Sequence, residues 1–135
     1  MCTCSVFGRG VLLMVACAVA GCHSPITGDW ISLEQLGNGQ RNQLAVSSDS
    51  SADAVVFATH PNDPKAWMKF HFVANWSATD TNFDFLMRCD SGPCHDDDFD
   101  MNCQIVDQKN GETNKLDCKA TGKWQSYPFF WQAKN

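Results

Sequence analysis

Apolar and polar residues alternate along most of the chain beyond residue 28, and a period of two predicts half-buried strands rather than helices. From Ala66 to Trp76 one face reads Ala66, Met68, Phe70, Phe72, Ala74 and Trp76, and the other Trp67, Lys69, His71, Val73 and Asn75. Phe83, Phe85, Met87 and Cys89 share a face, with Asp84 and Arg88 opposed. Met101, Cys103 and Ile105 repeat the pattern, as do Leu116, Cys118 and Ala120. Shorter strands are predicted at Trp30 to Leu33, Gln43 to Val46, Ala54 to Thr59 and Gln125 to Gln132. Turn chemistry separates them: Gly37-Asn38-Gly39, Ser47 to Ser51, His60 to Pro64, Thr79 to Asn82, Ser91-Gly92-Pro93 and Asn110-Gly111. About eight short strands imply an all-β fold, a single antiparallel barrel or sandwich.

Asn110-Gly111 carries the sharpest local expectation. This pair suits a two-residue hairpin turn in which both central residues take positive φ. Ile105 then falls opposite Leu116 and Cys103 opposite Cys118, so that both apolar faces match. The register favours a Cys103–Cys118 bridge and leaves Cys89–Cys94 to close a small loop. Counted back from such a turn, positions 103 and 118 belong to the wider, hydrogen-bonded class of pair, and disulfide geometry is demanding. Cys89–Cys103 with Cys94–Cys118 therefore stays open as the rival pairing.

The first residues have another character. Arg9 is the only charged side chain before Cys22, and the apolar stretch Val11 to Val19 leads to small residues. That stretch is roughly nine residues, about half of what a helix needs to cross a bilayer. It fits a secretory signal. Val19-Ala20-Gly21-Cys22 resembles the lipobox of bacterial lipoproteins, in which the cysteine is acylated and becomes the first mature residue. The resemblance implies a signal peptide at 1–21, a lipidated short tether at 22–28 and a β domain at 29–135. It also implies attachment to the cell envelope through acyl chains on Cys22, several chains giving stable anchoring. His23 stands where an Asp would favour inner-membrane retention, so the outer membrane is expected. An ordinary signal peptide leaving a free Cys22 thiol is the competing reading.

Charge and cysteine content narrow the rest. The chain carries 15 acids against 10 lysines and arginines, a net charge of −5, and losing Arg9 with the leader makes the remainder more acidic. Nucleic acid is a poor partner for such a surface. Of the 8 cysteines, Cys2, Cys4 and Cys17 leave with the signal and Cys22 takes lipid. The other four, Cys89, Cys94, Cys103 and Cys118, form an even set for two disulfides in an oxidising compartment. They lack the spacing of a zinc site.

Two groups of residues carry candidate chemistry. Asp96, Asp98 and Asp100 have the spacing of the first three ligands of an EF-hand loop, with Asp107 at the twelfth position. Met101 stands where that loop needs Gly, and flanking helices are absent. The alternatives are a calcium site and a solvated acidic loop; no other cofactor is expected. The aromatic residues form the second group. Trp67 shares a polar face with Lys69, His71 and Asn75, and the tail holds Trp124, Tyr127, Phe129, Phe130 and Trp131. Exposed rings stack on sugars or form protein interfaces; buried ones fill a core. Trp67, His71 and Trp131 are the candidate ligand or interaction residues.

No Gly-x-Ser-x-Gly elbow, His-Glu-x-x-His or phosphate-binding glycine loop occurs. An acid–base pair such as Asp84 with His71 fits the pattern, and chance accounts for such residues equally well. Gly28-Asp29-Trp30 resembles the Gly-x-Trp opening of lipocalin-like barrels, where the Trp plugs the closed end, although the Arg that packs on it there is not identifiable. That resemblance implies a central pocket for a small apolar ligand. The leading functional expectation is a non-catalytic small-ligand-binding or accessory module. A protein or glycan interaction module using exposed aromatics is the alternative, with a hydrolase third.

Overall fold

The computed structural model describes residues 24–79, 81–106, 114–127 and 129–134. The expected signal segment, Cys22, Asp107 and the expected turn at Asn110-Gly111 lie outside the described residues. Eight strands follow in order: β1 (Gly28–Ser32), β2 (Gln43–Val46), β3 (Ser51–His60), β4 (Asp63–Thr79), β5 (Asn82–Ser91), β6 (Phe99–Val106), β7 (Lys115–Ala120) and β8 (Phe129–Ala133). Each pairs antiparallel with its neighbours in sequence, and β1 pairs with β8, so the sheet closes into a barrel. Closure joins Trp30 to Ala133 and Ser32 to Trp131.

The alternation sets which side chains point inward. Phe70, Phe72 and Ala74 of β4, Phe83, Phe85 and Met87 of β5, and Met101 and Cys103 of β6 are buried. Lys69, Val73 and Asn75 of β4 are exposed on the other face. Small residues balance these rings, since β3 contributes Ala52, Ala54, Val56 and Ala58 to the interior. The interior is thus filled by side chains, as expected of a barrel of about eight strands.

The two disulfides are Cys89–Cys94 and Cys103–Cys118. The hairpin register is the expected one: Ile105 pairs with Leu116 and Cys103 with Cys118. The separation differs from the expectation. Cα atoms of 103 and 118 lie 4.0 Å apart, which belongs with the closer, non-hydrogen-bonded class of pair. Replacing both Cys103 and Cys118 by alanine should lower stability by about 3 kcal/mol, because their loop restrains the unfolded chain more than the shorter Cys89–Cys94 loop does. Urea denaturation of the two double variants checks the order.

Local devices fix the ends. At the end of the barrel where β1 begins, Ile26 is fully buried, and its carbonyl accepts the Trp30 indole N–H at 2.9 Å. Gly28 pairs with Val46, the last residue of β2, so the chain joins the wall at this end. The opposite end carries the loops at 33–42, 61–62, 92–98 and 121–127. There the tail departs from the expected strand over Gln125 to Gln132. A 3-10 turn at Gly122–Trp124 comes first, and β8 starts only at Phe129. Asn42 is a buried polar residue that the pattern did not reveal; its Oδ1 accepts the Phe57 main-chain N–H at 2.9 Å.

Candidate functional site

A cleft of about 190 Å³ opens at the end of the barrel remote from the start of β1. The close of β3 and the next turn supply Ala58, Thr59 and Pro61, and the start of β4 supplies Met68 and Phe70. Asp97, Lys123, Trp124 and Tyr127 complete the lining from two loops. These residues meet because β3 and β4 form a long hairpin whose turn stands beside both loops.

Asp97 is the electrostatic centre of this end. It is buried at 2% exposure, and a buried carboxylate must be paired or hydrogen-bonded. Its Oδ2 accepts the His95 main-chain N–H at 2.7 Å. Its Oδ1 meets the Lys123 ammonium, and no N–H or O–H donor besides that one reaches it among the described residues. Lys123 also donates to the His95 carbonyl at 2.8 Å, and Trp124 Nε1 donates to the Asp97 carbonyl at 3.0 Å. The loop after the Cys89–Cys94 bridge is therefore fastened to the 121–127 loop through both side chain and main chain. Burial pushes the Tyr127 phenol above its ordinary value, and a hydrogen bond with the Thr59 main chain opposes that shift.

On the outer wall, His71 stands between two carboxylates. Nδ1 lies 3.0 Å from Asp90 Oδ2 and Nε2 lies 3.2 Å from Asp53 Oδ1. A bulge makes this possible: His71 pairs with Ser91 and Phe72 with Cys89, so Asp90 is the extra residue on β5. The Asp84–His71 pair suggested by the sequence does not form. Asp84 instead accepts from Asn102 Nδ2 at 2.6 Å.

No protein-family model matches the chain, and no curated protein or solved structure matches it.

The remaining candidates are dispersed. Trp131 is 1% exposed inside the barrel, stacked on Phe129 at 5.9 Å between ring centroids, so it offers no outer contact surface. The sequence did not reveal that Phe130, 45% exposed, takes the outward position instead. Trp67 is half-buried on the outer wall and pairs across with Thr59, a residue of the cleft. Asp96, Asp98 and Asp100 do not converge. Asp96 pairs with His95, Asp98 accepts the Cys89 N–H and faces Arg88, and Asp100 also faces Arg88. Among the described residues no group of three His, Cys, Asp or Glu could hold a metal ion. Calcium coordination needs several oxygens turned to one point, whereas Asp96 turns to His95 and Asp98 and Asp100 both turn to the Arg88 guanidinium.

Proposed function

We propose that the chain is a lipid-anchored envelope accessory protein that binds, without catalysis, one compact aromatic or apolar group at the end of its barrel. The observation that carries this reading is the cleft between Met68, Phe70, Trp124 and Tyr127. Its volume of about 190 Å³ falls below the roughly 300–1,000 Å³ of pockets that enclose drug-sized ligands. One ring or one side chain fits that scale. The wall is apolar and aromatic, while the Asp97–Lys123 pair supplies a polar rim.

The anchor belongs to the same reading. Acylation of Cys22 would hold the chain just before Ser24, at the end where Ile26 and Trp30 fill the barrel. The cleft would then face away from the outer membrane, toward a partner. The central pocket that the Gly28-Asp29-Trp30 resemblance to lipocalin-like barrels implies is occupied by side chains, so a small-ligand form of this function rests on the end cleft alone. Trp67, beside Thr59 at the cleft, favours a second form in which the ring belongs to a partner protein or glycan.

Two measurements test the proposal. Intact-mass analysis of the mature protein should show acyl mass on Cys22, and Cys22→Ser should release the chain from the membrane fraction. An unmodified Cys22 would remove the anchor. For the cleft, saturation-transfer NMR with para-cresol should show weak, saturable binding that Met68→Trp abolishes in a protein with unchanged circular dichroism. Binding indifferent to Met68→Trp, or no binding to the parent chain, would remove the cleft as the site.

A further inference from the structure

Of the buried aromatic rings in the described residues, Trp124 alone is carried by a turn rather than a strand. Its indole lies among four phenyl rings from three strands. Ring centroids are 5.2 Å from Phe70, 5.7 Å from Phe72, 5.6 Å from Phe99 and 6.4 Å from Phe129. Phe70 and Phe72 meet it edge-on, an arrangement that aromatic pairs favour. The barrel wall thus builds an aromatic box, and a loop residue fills it. The same indole also lines the cleft outside, so box and cleft are separated by Trp124 itself.

We infer that Trp124 is a displaceable plug, and that the box behind it is the binding site for a planar aromatic ligand of about the size of indole. This rests on the end-cleft reading and extends it inward. The ligand reaches the cleft first, and withdrawal of Trp124 joins cleft and box into one chamber. Three features suit the turn to that movement. Gly122, next to the plug, takes a positive φ (+65°), and its carbonyl is held by a long bond from the Gln125 N–H at 3.2 Å. The indole N–H bonds a single main-chain carbonyl, that of Asp97, and an aromatic N–H ligand would present the same donor. The latch is electrostatic and sits at the rim: Lys123, half exposed, holds Asp97 and the His95 carbonyl.

A plug that competes with the ligand lowers apparent affinity by the fraction of time the box is open. Indole, titrated into the full-length protein by calorimetry, is the probe. Asp97→Asn removes the charge that holds Lys123 but keeps the carbonyl that Trp124 uses, so it should raise indole affinity by about tenfold. Trp124→Gly should bind one indole per chain and recover part of its lost thermal stability as indole is added. If Trp124→Gly does not fold, the Asp97→Asn measurement decides alone. Equal affinity of parent and Asp97→Asn, or a folded Trp124→Gly that ignores indole, overturns the plug. Indole binding that responds to Met68→Trp but to neither of these changes would leave the outer cleft standing and the inner site refuted.

Discussion

Replacing Phe72 by alanine should destabilise the protein by about 3–5 kcal/mol. The ring is fully buried, and its centroid lies 5.1 Å from Phe99, 5.7 Å from Trp124 and 6.1 Å from Phe70. Truncation removes the apolar surface that burial rewards and leaves a hole that strand side chains close poorly, since each is fixed by its backbone register. Against a total stability of about 5–15 kcal/mol for a domain, the loss is a large fraction. The urea midpoint should fall accordingly, and the melting temperature by more than about 10 °C. Leu86→Ala is the companion. Leu86 lies on the outer face and is 46% exposed, so its truncation should stay within about 0.5 kcal/mol. Equal effects for the two would refute the assignment of faces along β4 and β5.

Gly92→Ala should cost about 3 kcal/mol or more, the sum of backbone strain and a clash. Gly92 has φ +111° and lies against the backbone of β4. An added Cβ would collide with the Lys69 carbonyl oxygen and stand 3.2 Å from Phe70 Cα. Backbone cannot yield as a flexible side chain does, so the loop must lift. Lifting it would move Cys94, whose N–H bonds the Gly92 carbonyl at 2.9 Å, and with it the segment leading to Asp97. Gly122→Ala separates the two causes. Its φ is also positive, but no atom lies within 4 Å of the new Cβ, so strain alone should cost about 1–2 kcal/mol. Chemical denaturation of both variants gives the comparison; a Gly92→Ala loss no larger than that of Gly122→Ala would show that the loop does not rest on β4.

The strands were legible in the sequence because alternation is a local property of each segment. Phe70, Phe72 and Ala74 fall inward, and Lys69, Val73 and Asn75 outward, as their parity dictates. The Cys103–Cys118 pairing was legible for a similar reason, since matching two apolar faces leaves few registers. Closure was legible only as one of two alternatives, barrel or sandwich, with the Gly28-Asp29-Trp30 resemblance leaning to the barrel. The pairing of β1 with β8 joins the two ends of the domain, and alternation within a strand does not say which strands meet across such a distance. In the tail the expected strand from Gln125 was too long, since a turn at Gly122–Trp124 comes first and β8 starts at Phe129, but parity held there too, with Phe129 and Trp131 inside and Phe130 outside. In the row Asp96, Asp97, Asp98 the buried member is the middle one. The cation arriving from the distant residue Lys123, together with the His95 main-chain N–H, makes that burial tolerable. The cleft went unseen for the same reason: its lining comes from four separate stretches of chain that meet only once the barrel has closed.

Closure of the ladder through β1 and β8 has a consequence beyond the single molecule. A sheet that ends exposes rows of unsatisfied amides and carbonyls, and these recruit strands from neighbouring copies. Acylation of Cys22, as proposed, would confine the protein to two dimensions and multiply encounters between identical chains. Pairing the first strand with the last closes the wall between β1 and β8, where an open sheet would offer neighbouring copies two such edges.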